Sequence, residues 1–81
     1  MDLLLEWEVE DDGTEAVIEL GRRNRLEAEF VRENCYKAHV SLGYERHNSY
    51  QPTLTEAMKW CERKIGTLLL QRVVEIMERD N

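Results

Sequence analysis

The sequence has few of the residues that break or staple a chain. Proline occurs once in 81 residues, glycine four times and cysteine twice. No linker, internal repeat or low-complexity tract is visible, so the chain reads as a single domain, residues 1–81. Its length lies within the usual domain range of roughly 50–250 residues. Two cysteines are too few for the disulfide framework that a small secreted chain often needs. Residues 1–5 are too short for the apolar core of an export signal, and acids follow them, so the expected location is a reducing cytoplasm. No run approaches the roughly 18 apolar residues of a membrane span.

Positive charge is absent from the first quarter. Residues 1–20 hold eight acids and neither lysine nor arginine; residues 21–50 hold six bases and four acids, and residues 51–81 hold five of each. The net charge of −6 therefore comes from the N-terminal end. A net-acidic domain is repelled by phosphate, so direct nucleic-acid binding is not expected, whereas attraction to a basic protein surface is favoured.

What the chain does contain is periodicity. Residues 3–10 alternate Leu5, Trp7 and Val9 with Glu6, Glu8 and Glu10, the pattern of a half-buried strand. Gly13 ends a turn signal, and residues 14–20 place Ala16, Ile18 and Leu20 on one face. After a turn at 21–24, residues 25–32 turn Leu26, Ala28 and Phe30 inward. Residues 36–44 do the same with Tyr36, Ala38, Val40, Leu42 and Tyr44. Four alternating segments with short links predict an antiparallel meander over residues 1–44. Residues 45–53 read as a polar loop. Thr53 and Glu56 form a capping box that opens a helix over 54–79. The predicted fold class is α+β: a four-stranded antiparallel meander with one long C-terminal helix packed on one face.

Leu54, Ala57, Met58, Cys61, Ile65, Leu68, Leu69 and Ile76 share the helix face expected to cover the sheet. Leu70, Val73, Val74 and Met77 fall on the opposite side. Either a kink at Gly66 turns both faces inward, or this stripe is a homodimer or partner interface. Trp60 lies at the edge of the core face, as a core or rim residue or as an exposed contact.

If the helix covers one sheet face, the other displays Glu6, Glu8, Glu10, Glu15, Glu19, Glu27 and Glu29, with Arg25 and Lys37 opposing them. Acids at i and i+2 lie roughly 6.6 Å apart and adjacent strands about 4.8 Å apart, a carboxylate lattice on the scale of nucleic-acid charge. Such a face serves either solubility or a basic partner. Against the first, facing like charges destabilise a sheet. Arg22, Arg23 and Arg25 form a basic turn, either a phosphate or acidic-surface contact or a counter to neighbouring glutamates. Residues 46–51, with Arg46, His47 and Tyr50, are an ordinary loop or a contact site. Cys35, His39, His47 and Cys61 match no zinc spacing and should not converge, so no metal and no cofactor is expected. Cys61 is expected to pack as a small buried hydrophobe. A flat sheet face lacks the concave, desolvated site that acid–base catalysis needs, so the expectation is not an enzyme.

The passage from the strand at 36–44 through T-L-T-E-A-M-K-W-C-E-R-K-I at 53–65 resembles the strand-to-helix junction of HicB-like antitoxins and of phage integrase arm-binding domains. The integrase resemblance implies DNA binding through the exposed sheet, but that surface here carries glutamates where bases are required. In overall character the chain is similar to small phage-encoded inhibitors of host defence of the anti-CRISPR type. That resemblance implies a non-enzymatic acidic protein occupying a positively charged, nucleic-acid-binding site on a partner. The alternative is an antitoxin-like or assembly module acting through dimerisation of its C-terminal helix.

Overall fold

The computed structural model describes residues 3–79. Five strands precede one helix: β1 (Glu8–Val9), β2 (Glu15–Gly21), β3 (Asn24–Arg32), β4 (Cys35–Leu42), β5 (Glu45–Gln51) and α1 (Leu54–Arg79). The strands form one antiparallel sheet in chain order, β1-β2-β3-β4-β5. The α+β class, the meander and the C-terminal helix agree with the sequence pattern, with one strand more than expected.

The extra strand is β5, where residues 45–53 read as a loop. It pairs with β4 along its whole length, from Leu42 opposite Glu45 to Tyr36 opposite Gln51. Its residues alternate polar with polar, so burial periodicity leaves no trace in the sequence. The informative residue is Gly43, whose φ of 64° lets a two-residue turn join the strands. Tyr44, expected on the inner face, sits in that turn and is 86% exposed. At the other edge, only Glu8 and Val9 of the expected strand 3–10 pair with β2. The preceding segment is held differently. Leu4 and Leu5 donate their amides, and Trp7 its Nε1–H, to the Glu62 carboxylate at 2.8–3.1 Å.

Cross-strand partners share a face, so the pairing Ala16–Ala28–Ala38 and Leu26–Val40 defines the buried side. Ala16, Leu26, Ala28, Ala38, Val40 and Leu42 meet Ala57, Met58, Cys61, Ile65 and Leu68 of α1. The three alanines let the helix approach closely, and Trp7, Ile18, Tyr36, Leu54 and Trp60 pack around the rim. Phe30 shares this face but lies beside a bulge near the end of β3 and stays 46% exposed, edge-on to Tyr36. The Thr53 hydroxyl accepts from the Glu56 amide at 3.1 Å, closing half of the capping box; the Glu56 carboxylate lies 3.7 Å from Lys59 Nζ.

Cys61 is fully buried, with Sγ 3.5 Å from the carbonyl oxygens of Glu27 and His39. Burial pushes its thiol up to about 11, against the two backbone hydrogen bonds. Both cysteines are free.

Candidate functional site

Two surfaces are not used by the core: the outer sheet face and the C-terminal part of α1. The register organises the sheet face into rows. Glu15, Glu29, Lys37 and Tyr50 form one row; Val17, Glu27, His39 and Asn48 the next; Glu19, Arg25, Ser41 and Arg46 the third. Glu8 joins the middle row opposite Val17. The carboxylates are thus confined to β1, β2 and β3, and β4 and β5 carry basic and neutral polar groups.

The expected seven-glutamate lattice is correspondingly divided. Glu19 and Glu27 both pair with Arg25, at 3.1 and 3.0 Å. Glu8, Glu15 and Glu29 remain on the face with no cation in ion-pair distance among the described residues, and Glu6 and Glu10 flank β1. The hairpin between β1 and β2 is stiffened by Asp12, which accepts from the Thr14 hydroxyl at 2.7 Å and the Thr14 amide at 3.0 Å. These bonds, the hydroxyl first, hold the Asp12 carboxyl below its ordinary value.

The structure also separates the three residues expected to act as one loop. Arg46 and Tyr50 lie on the outer face, whereas His47 opposes Val40 on the helix face. There His47 Nε2–H donates to Glu45 at 3.3 Å, and Arg72 Nη2 approaches Glu45 at 3.5 Å. The His47 bond first, then Arg72 against slight burial, holds the Glu45 carboxyl low.

The helix runs unbroken through Gly66 to Arg79, so no kink turns the second apolar stripe inward. Twenty-six residues at about 1.5 Å each span roughly 39 Å, longer than strands of seven to nine residues at about 3.3 Å each. The excess projects, in agreement with overall extents of 49 × 23 × 22 Å. Leu68 is the last buried residue of α1, and Arg72 Nη2 donates to the Leu42 carbonyl at the end of β4 at 3.2 Å. Leu70, Val73, Val74 and Met77 are exposed, as the interface expectation requires. Leu69 and Ile76, expected in the core, are exposed with them, because the sheet has ended. At about 100° per residue these six side chains occupy one side of the helix, and Gln71, Arg72, Glu75, Glu78 and Arg79 occupy the other. Leu70, Val73, Val74 and Met77 point away from the sheet, whereas Ile76 lies on the flank beside Glu45 and Arg72.

Among the described residues no three histidine, cysteine, aspartate or glutamate side chains are grouped to hold a metal ion. None of the described helices is long and apolar enough to cross a membrane. The chain matches no known family model, no curated protein and no solved structure.

Proposed function

We propose that the protein is a non-enzymatic interaction module that forms a homodimer through the projecting end of α1. The observation that carries this is the continuous apolar side of Leu69, Leu70, Val73, Val74, Ile76 and Met77, with Leu70 66% and Met77 61% exposed. Soluble monomers rarely leave so contiguous an apolar surface in water. Burial of each such side chain contributes about 1.5–3 kcal/mol, and the flanking Gln71, Glu75 and Glu78 supply a polar rim. A second copy is the simplest occupant, since the same stripe on two helices is self-complementary about a two-fold axis.

The test is sedimentation equilibrium of the parent and of Val74→Glu. The parent is expected to dimerise at micromolar concentration. The variant should weaken association by about tenfold or more while leaving the far-ultraviolet circular dichroism unchanged, because Val74 lies outside the core cluster and is exposed. A parent that stays monomeric at millimolar concentration rules the homodimer out.

A second reading rests on the carboxylate margin of β1 and β2. Glu8 and Glu15, without a cation in ion-pair distance among the described residues, and Glu6 and Glu10 beside them favour long-range attraction to a positively charged, nucleic-acid-binding site on a partner. This is the mode of action of a phage or mobile-element inhibitor of host defence. Reversal of Glu6, Glu8 and Glu15 to lysine should then abolish partner capture without changing the oligomeric state, and retention of capture would exclude the margin as the contact.

A further inference from the structure

A concavity lies on the outer sheet face, at the end where the β2–β3 and β4–β5 turns meet. Its volume is about 870 Å³, and it is lined by Arg22, Arg23, Arg25, Arg46, His39 and Tyr44 together with Glu19, Ser41 and both turn glycines. Four arginines against Glu19 and the adjoining Glu27 make this end of an acidic protein locally positive. Residues 22–25 and residue 46 are some twenty positions apart in the chain. They meet because Arg25 opposes Ser41 on β4, and Ser41 opposes Arg46 on β5.

The cleft is built rather than incidental. The Ser41 hydroxyl donates to the Arg23 carbonyl at 3.1 Å, and the Gly43 amide donates to Asn24 Oδ1 at 2.9 Å, so each turn is tied to the neighbouring hairpin. Gly21 and Gly43, with φ of 139° and 64°, supply backbone conformations that L side chains rarely adopt. Arg25 is a fixed charge at the side of the cleft, held by Glu19 and Glu27, with its Nε buried and without a hydrogen-bond partner among the described residues. The guanidinium of Arg23 lies 4.5 Å from the centroid of the Tyr44 ring. Arg22, Arg23 and Arg46 have no carboxylate within ion-pair distance among the described residues. His39 Nδ1–H donates to Asn48 Oδ1, which leaves Nε2 as the remaining polar atom of its ring.

We propose that this cleft binds the phosphate groups of a nucleotide, with the base stacked on Tyr44. Guanidinium forks match phosphate oxygens two at a time, and three unpaired ones suit a polyanionic group better than a single carboxylate. An almost fully exposed tyrosine beside them offers a π-face, and the volume suits a ligand of nucleotide size. The net charge of −6 does not veto an anion here. Glu19 and Glu27 are both tied up by Arg25, and Glu15 lies four strand residues, about 13 Å, from Glu19, beyond the Debye length of about 8 Å at physiological salt. The site is independent of the homodimer, because no residue of α1 lines it.

Nuclear magnetic resonance titration of the labelled full chain tests the proposal with pyrophosphate, ADP and a short oligothymidylate as probes. ADP should shift the amides of residues 22–25, 39–41 and 43–46. The double variant Arg22→Glu, Arg46→Glu should weaken ADP binding by about tenfold or more. Arg63→Glu, a charge reversal outside the cleft, should leave affinity within about twofold if the site rather than the overall charge is responsible. Tyr44→Ala should weaken ADP by about tenfold and pyrophosphate hardly at all if the base stacks there. Tighter binding of the oligothymidylate through the same amides would identify nucleic acid as the source of the phosphates and uphold the site. Absence of shifts with all three probes at millimolar concentration would overturn the proposal. So would shifts that the double arginine variant leaves intact, or equal loss in Arg63→Glu. Equal weakening of ADP and pyrophosphate in Tyr44→Ala would overturn the stacking.

Discussion

Removing the Glu62 carboxylate should loosen the N-terminal segment, whose other anchors are the short strand β1 and the packing of Leu3 and Trp7 against the core. β1 contributes only two paired residues. Upstream of it, Glu62 accepts from the amides of Leu4 and Leu5 at 2.8–3.1 Å and from Trp7 Nε1 at 3.0 Å. A hydrogen bond to a charged group contributes about 1.5–3 kcal/mol when shielded from water. The Leu4 and Leu5 amides lie at the surface and can bond to water instead, so they count for little; the part-buried Trp7 bond counts nearly in full. Glu62→Ala is therefore expected to cost about 2–3 kcal/mol, out of a total of roughly 4–12 kcal/mol for a domain of this length. Glu62→Gln should cost about half as much, since its amide oxygen still accepts while its NH2 faces other donors. Urea unfolding measures the loss, and hydrogen exchange at the Leu4 and Leu5 amides locates it. The same bonds give the clasp a pH dependence. Burial pushes the Glu62 carboxyl up, and the bonds from Leu4, Trp7 and Leu5 together outweigh it, leaving the folded value below 4.5. The stabilisation is then complete above about pH 4.5 and is lost as the pH falls through the folded value, so parent and Glu62→Ala should converge in acid. A loss below about 0.5 kcal/mol with unchanged exchange at Leu4 and Leu5 would refute the clasp.

Two further outcomes follow from single positions. Gly66 is exposed within α1, and a Cβ there would meet nothing within 4 Å, so Gly66→Ala should raise stability by about 0.5–1 kcal/mol in urea unfolding; a loss would mean that the glycine serves a bend. Cys61 should resist a thiol reagent in the folded chain at pH 8 while half-exposed Cys35 reacts, and stability should decline from pH 9 towards 11, where the unfolded thiol ionises and the buried one does not; rapid labelling of both cysteines would contradict the burial.

Much of the fold is legible residue by residue. The alternation of Leu26 and Ala28, and of Ala38, Val40 and Leu42, marks β3 and β4 and their buried side without a structure. Thr53, as a helix cap, marks where α1 begins. These features are local, and local periodicity is what a sequence records. β5 is different. Its polar residues satisfy backbone hydrogen bonds on β4 at a sheet edge, where no apolar face is required, so pairing rather than pattern creates it. The sequence likewise determined that the end of α1 carries an apolar stripe, yet whether the stripe is covered depends on how far the sheet extends beneath it. The structure decides that the sheet ends near Leu68, leaving Leu69 and Ile76 in solvent with the rest. The acidic excess of residues 1–20 is a property of the chain; the charge-divided face is a property of register. A slip of one residue would move Arg46 to the other side of the sheet. Only the observed pairing sets it in line with Ser41 and Arg25 and makes one arginine-lined cleft from two turns.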